Sequence, residues 1–145
     1  MKIALATDHA GFDLKEQIKK KLLKQNFEVK DFGAFDYDAV DDYPDFIMPA
    51  AKFVAKNSDY LGVILGGSGQ GEAMAANRIT GVRAAVFYNG PLDIVKLSRQ
   101  HNNANILSIG ARFLSLDEAM NVIDIWLKTD FEGDRHQRRI NKLDQ

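Results

Sequence analysis

The sequence predicts an α/β fold, a single three-layer α/β/α domain on a mostly parallel sheet. Five short apolar runs alternate with longer amphipathic stretches along the 145 residues. Several runs are apolar at successive positions, as in Val63-Ile64-Leu65, which suits strands covered by helices on both faces. The stretches between them repeat apolar residues three and four apart, the spacing of a helix with one buried face.

The elements follow in order. Strands are expected at 2–7, 27–31, 61–66, 82–88 and 105–110. Leu14, Ile18 and Leu22 lie four apart on the first helix. Pro44 and Pro91 stand where helices would begin, because a first-turn residue needs no backbone donor. Ile94, Leu97 and His101 share one face of the fourth helix. Ala119, Val122, Ile123, Trp126 and Leu127 form a continuous stripe on a later one, and Ser115 with Glu118 has the spacing of a capping box at its start. No repeat or linker divides residues 1–145.

The chain is 46% hydrophobic and 27% charged, with a net charge of −1. It has the composition of a globular domain and lacks the basic excess of a nucleic-acid binder. With no cysteine, thiolate chemistry and disulfides are excluded. No apolar run approaches the roughly 18–20 residues that span a bilayer. Residues 1–5 enter a strand without a signal-peptide pattern, so a cytoplasmic protein with no membrane partner is expected. Charge is nevertheless uneven. Residues 31–45 carry six aspartates and no base, and read as a solvated loop. Arg135, Arg138, Arg139 and Lys142 form a compact basic cluster that points to a small anionic partner such as a phosphorylated metabolite.

In a parallel α/β sheet, ligands sit beyond the carboxyl ends of the strands. The first strand is followed by Thr7-Asp8-His9-Ala10-Gly11, where Asp8 either caps a helix or faces a ligand. The third is followed by Gly66-Gly67-Ser68-Gly69-Gln70-Gly71-Glu72, whose glycines let backbone amides approach an anion closely. This loop lacks the lysine of a P-loop and the position of a dinucleotide fingerprint. Glu72 beside those amides either favours the helix dipole or faces a substrate. His101 at a helix end is either a packing residue or an acid. Arg112 follows the fifth strand. Arg135 and Arg139, four apart, form an anion clamp if 134–143 is helical. His9, His101 and His136 are far apart in sequence, so a metal site would need tertiary convergence, and none is expected.

Asp8-His9-Ala10-Gly11, Asp42-Tyr43-Pro44, Gly66 through Glu72 with Ala75-Ala76-Asn77, Ser98-Arg99-Gln100-His101-Asn102 and Arg135-His136-Gln137-Arg138-Arg139 resemble, together and in order, the type B ribose-5-phosphate isomerases. Their family also includes the galactose-6-phosphate isomerase subunits. The resemblance implies a Rossmann-like five-stranded parallel sheet and cofactor-free aldose-ketose isomerisation. It also implies a homodimer, or a dimer of dimers, with shared active sites. Some members carry a cysteine base where this chain has Gly66; this chain is similar to the branch with a glutamate at the position of Glu72. On that likeness Glu72 is the base, while Ser68 and the amides of Gly67, Gly69, Gln70 and Gly71 hold an enediolate. Asp8 and His101 serve ring opening and proton transfer at the hydroxyls. His9, Arg135 and Arg139 take the phosphate. Tyr43, Asn102 and Arg112 complete the pocket, with His101 expected from the neighbouring subunit. A hexose 6-phosphate substrate, or a non-catalytic sensor of a phosphorylated ligand, are the alternatives.

Overall fold

The computed structural model describes all 145 residues. Its five strands are β1 (Lys2–Thr7), β2 (Glu28–Asp31), β3 (Tyr60–Gly66), β4 (Ala84–Phe87) and β5 (Ile106–Gly110). They form one sheet in the order β2-β1-β3-β5-β4, with every neighbouring pair parallel. The helices are α1 (Phe12–Lys24), α2 (Pro44–Lys56), α3 (Gln70–Ala76), α4 (Asp93–Gln100), α5 (Leu116–Lys128) and α6 (Arg135–Ile140), with a single 3-10 turn at His9–Gly11. No helix is long and apolar enough to cross a membrane.

The central strands are apolar on both faces because both faces are covered. Ile3, Leu5, Val63 and Leu65 point to one side, where Ile18 and Leu22 of α1, Val95 of α4 and Trp126 of α5 pack. Ala4, Ala6 and Ile64 point to the other, against Ile47, Ala50 and Val54 of α2 and Ala76 of α3. Each alternate residue thus enters a different core, and the buried polar residues Thr7 and Ser108 donate their hydroxyls to backbone carbonyls.

Most element boundaries follow the sequence pattern. The Ser115–Glu118 capping box closes in both directions, each bond 3.2 Å. Pro44 opens α2, whereas α4 starts at Asp93, two residues after Pro91. β4 is shorter than 82–88 because Arg83 gives its N–H to the Asn105 side chain (2.8 Å) instead of a strand carbonyl. The acidic stretch is only partly a solvated loop. Asp31, at the end of β2, accepts 2.8 Å bonds from Lys15 and Lys19, and Lys15 is fully buried. Burial pushes the Asp31 carboxyl up, but the two ammonium groups outweigh it and hold it below the usual carboxylate range. On α4 the sequence-defined face of Ile94 and Leu97 points to solvent; Val95 is the helix's buried anchor.

The strand order reverses between β1 and β3, so the crevice beyond their carboxyl ends is the topological switch point. Thr7 locks the two ends together by donating its hydroxyl to the Leu65 carbonyl at 2.9 Å. Gly11 packs directly on this junction, and a Cβ there would collide with the Thr7 hydroxyl and with Leu65. Gly11→Ala is therefore expected to lower unfolding free energy by about 1–3 kcal/mol, the usual cost of overpacking. Urea denaturation followed by circular dichroism measures this.

Candidate active site

Two groups of side chains gather at the carboxyl edge of the sheet, and no hydrogen bond or ion pair joins one group to the other within the chain. The first surrounds the switch point. Asp8, 7% exposed, caps the 3-10 turn after β1 by accepting from the Ala10 amide at 2.9 Å. It satisfies the capping role and still lies in the crevice, so the two sequence readings are not exclusive. His9 is oriented by Asp41, whose Oδ1 accepts the His9 backbone N–H at 3.0 Å and lies 2.7 Å from ring Nδ1. That bond outweighs partial desolvation and raises the imidazole pKa, with Asp8 assisting and Arg112 opposing. His9 is thereby biased toward the cation, with Nε2 left to point at a ligand.

The glycine loop supplies the other wall. Gly69 takes a left-handed conformation (φ 78°) as the residue before α3, and its carbonyl accepts a 2.6 Å bond from the buried Ser108 hydroxyl of β5. Ser68 Oγ accepts weakly from the Gln70 amide at 3.4 Å. Gly67 lies under the Arg112 guanidinium; a Cβ there would sit 2.9 Å from Nη1. Gly71 lies under the Tyr43 ring, 2.9 Å from Cζ on the same measure. The glycines thus allow Arg112 and Tyr43 to close on bare backbone.

Glu72 is the centre of this group. It is 5% exposed, on the first turn of α3. A Cβ built on Gly66 would fall on its carboxylate. The glutamate head occupies the volume that any side chain at position 66 would need, which gives a steric reason why a glutamate at 72 accompanies a glycine at 66. Two opposing effects act on its acidity, and burial wins. Desolvation pushes the carboxyl above the usual range, its own backbone amide pulls it down, and neighbouring Asp8 adds to the rise.

The second group lies where α4 ends against α6. His101 follows α4 as its C-cap, and its ring stacks on His136 with centroids 4.3 Å apart and planes 13° from parallel. The cleft beside them is lined by Asn102, Arg139 and Leu143. α6 spans only Arg135–Ile140, within the expected 134–143, and its Arg135 and Arg139 are exposed. The Glu132 carboxylate reaches back to His136 Nε2 at 3.6 Å and His101 Nε2 at 3.9 Å. The convergence of His101 with His136 is invisible in the sequence, as are the roles of Asp41 and Glu132. No local motif marks these residues; only the fold brings them together.

The architecture and the crevice define a class: parallel α/β proteins with a dehydrated carboxylate beside an open amide loop and cationic side chains on the same edge. Residues 3–143 match the ribose/galactose isomerase family, and the chain belongs to it. It is 43% identical over 144 residues to ribose-5-phosphate isomerase B of Mycolicibacterium paratuberculosis, covering 99% of this chain and 89% of that one. The crystal structure of Mycoplasma genitalium ribose-5-phosphate isomerase B with bound ribulose-5-phosphate superposes with a TM-score of 0.92 at 45% identity, over 98% of this chain and 93% of the other. The Clostridium thermocellum enzyme gives 0.92 at 42% identity, over 99% and 95%. The five-stranded Rossmann-like sheet expected from the sequence is thus present, and the chain is an isomerase by family.

The competition for space between positions 66 and 72 is measurable. Gly66→Ala should be destabilising alone and much less so on a Glu72→Ala background. A coupling of about 0.5–3 kcal/mol is expected, as for residues in direct contact. Denaturant titration of the four proteins in the double-mutant cycle measures it.

Proposed function

We propose that this chain interconverts ribose 5-phosphate and ribulose 5-phosphate through a cis-enediolate, with Glu72 as the base. The observation that carries the reading is the buried Glu72 carboxylate beside Asp8 at the mouth of an open glycine loop. Support comes from the relatives named ribose-5-phosphate isomerase B and from the ribulose-5-phosphate bound in the Mycoplasma genitalium structure.

In the aldose-to-ketose direction Glu72 takes the proton from carbon 2, and the carbonyl oxygen at carbon 1 gains the charge. Ser68 and the amides of Gly67, Gly69, Gln70 and Gly71 stabilise that oxygen; each such donor is typically worth about 10²–10³ in rate. The protonated Glu72 then delivers the proton to carbon 1 as the hydroxyl proton moves from oxygen 2 to oxygen 1. Asp8 and His101 open the furanose by moving the proton of the anomeric hydroxyl to the ring oxygen as the bond from carbon 1 to that oxygen breaks and the carbon 1 carbonyl forms. The phosphate, held by His9, Arg135 and Arg139 with Arg112 near the loop, does not react. Its binding energy positions the sugar, with Tyr43 and Asn102 lining the pocket. This chemistry calls for no cofactor.

Because His101, Asn102, Arg135 and Arg139 gather apart from Asp8, His9 and Glu72, we infer a homodimer in which one subunit's second group completes its partner's first. The apolar side chains of Leu92, Ile94 and Leu97 on and just before α4, and of Phe113, are exposed in the single chain. A face of that kind, next to half of a site, suits a second copy.

Glu72→Gln should lower kcat by about 10²–10⁴, the contribution of a positioned base, with sugar-phosphate binding retained. Ribulose 5-phosphate turned over in deuterated water should carry deuterium at carbon 2 of the product, at least in part, read by NMR; unlabelled product at early times would favour a hydride shift instead. Since the Glu72 pKa is raised, kcat/KM should fall with decreasing pH while still above the ordinary carboxylate range. As pH rises past the elevated His9 pKa, KM should increase.

The shared site has its own check. Glu72→Gln and His101→Ala are each expected to be inactive alone. Unfolded and refolded together, they should regain turnover, because the mixed dimer contains one site with both groups intact. A monomer by sedimentation, or no recovery from refolded mixtures shown to contain heterodimer, would count against the arrangement.

A further inference from the structure

We propose that His101, Glu132 and His136 form a binding site for a zinc-class divalent cation, and that filling it stops isomerisation by drawing His101 away from the sugar. The site rests on geometry alone; its effect on turnover rests on the role given to His101 above.

Two imidazoles and one carboxylate are a recognised ligand set for zinc, which bonds His nitrogen and carboxylate oxygen at about 2.0–2.2 Å. In a tetrahedral site that places the ligand atoms roughly 3.3 Å apart. Here the donor atoms of all three residues lie within 4.8 Å of one another. The Glu132 oxygen is 3.6 Å from His136 Nε2 and 3.9 Å from His101 Nε2. Closing on an ion needs small movements, and the side chains that must move are the free ones. Glu132 and His101 are 46% and 39% exposed, and neither side chain makes a hydrogen bond.

The backbone beneath them is fixed. The Glu132 amide donates to the Gln100 carbonyl at 3.0 Å, the His101 amide to Leu97 at 2.9 Å, and the His136 amide to Gly133 at 3.0 Å. The loop before α6 is thereby tied to the end of α4.

His136 supplies the independent observation. It is 5% exposed, and its Nε2 is buried without a hydrogen-bond partner while aimed at the Glu132 carboxylate. A buried nitrogen with no partner is costly in a folded protein, and a metal ion would satisfy it. Arg135 and Arg139 repel a cation, but both are exposed and screened by water, whereas Glu132 contributes its charge as a direct ligand. The stacked rings must splay for both lone pairs to meet one ion, and the exposed His101 is the ring able to swing. Swinging toward α6 removes it from the position required for proton transfer.

Cobalt(II) serves as the probe of geometry and zinc(II) as the probe of affinity and inhibition. The metal-free protein should bind one cobalt per chain and develop the intense visible d–d bands of a tetrahedral ion. Zinc should displace it and inhibit the isomerase, with activity restored by a chelator. Glu132→Gln and His136→Phe should each weaken binding roughly tenfold or more, since even outer-shell partners of a metal contribute on that scale. Whatever turnover Glu132→Gln retains should no longer respond to zinc. Absence of saturable cobalt binding, or equal zinc affinity in wild type and both variants, overturns the site. Binding as described with turnover unaffected overturns the inhibitory half. A protein that binds cobalt through these residues but isomerises no aldose phosphate retains the metal site and refutes the proposed function alone.

Discussion

The arrangement at the switch point depends on a missing side chain. Because Gly66 has no Cβ, the Glu72 carboxylate lies down over the last residue of β3 and is sheltered from water by the backbone that carries it. Dehydration and the nearby Asp8 raise its proton affinity, and its own amide restrains the rise. Everything around it maintains that position: the left-handed Gly69, the Ser108 bond to the loop, and the Thr7 bond that clamps β1 to β3.

Charge is divided along the sheet edge. The crevice between β1 and β3 holds the carboxyl groups Asp8 and Glu72 and a histidine whose proton affinity Asp41 raises, while three arginines stand together at α6. Dividing them avoids two costs: burying arginines beside a carboxylate whose proton affinity they would lower, and leaving a cationic cluster unscreened within one pocket. An anion that bridges the groups would relieve the separation when it binds.

The fold was legible because its signals are periodic and local. Val63-Ile64-Leu65 announces a doubly covered strand, and the Ser115–Glu118 pair marks a helix start that forms as expected. The candidate residues on the strand ends were also legible, since the topology assigns them to one edge. What the sequence did not convey depends on pairs distant along the chain. Asp41 sits in a run of six acids with nothing to distinguish it, yet it alone orients His9. Lys15 reads as one of several helix lysines but is buried against Asp31. Ile94 and Leu97 have the spacing of a core face and point outward, because the eight-residue α4 anchors itself through Val95. Sign was illegible as well: the first turn of a helix suggests a lowered glutamate pKa, and only burial in three dimensions shows which effect is larger.

The strand order has a consequence for how the molecule comes into being. β1 is the first strand synthesised yet lies inside the sheet, and its pairing with β3 joins Lys2 to Tyr60 and Thr7 to Leu65. A nascent chain therefore carries an apolar ribbon with one side unmatched until residues 60–66 have left the ribosome. Parallel pairings across such long loops form slowly. During that interval the emerging segment is the region most in need of protection from other chains.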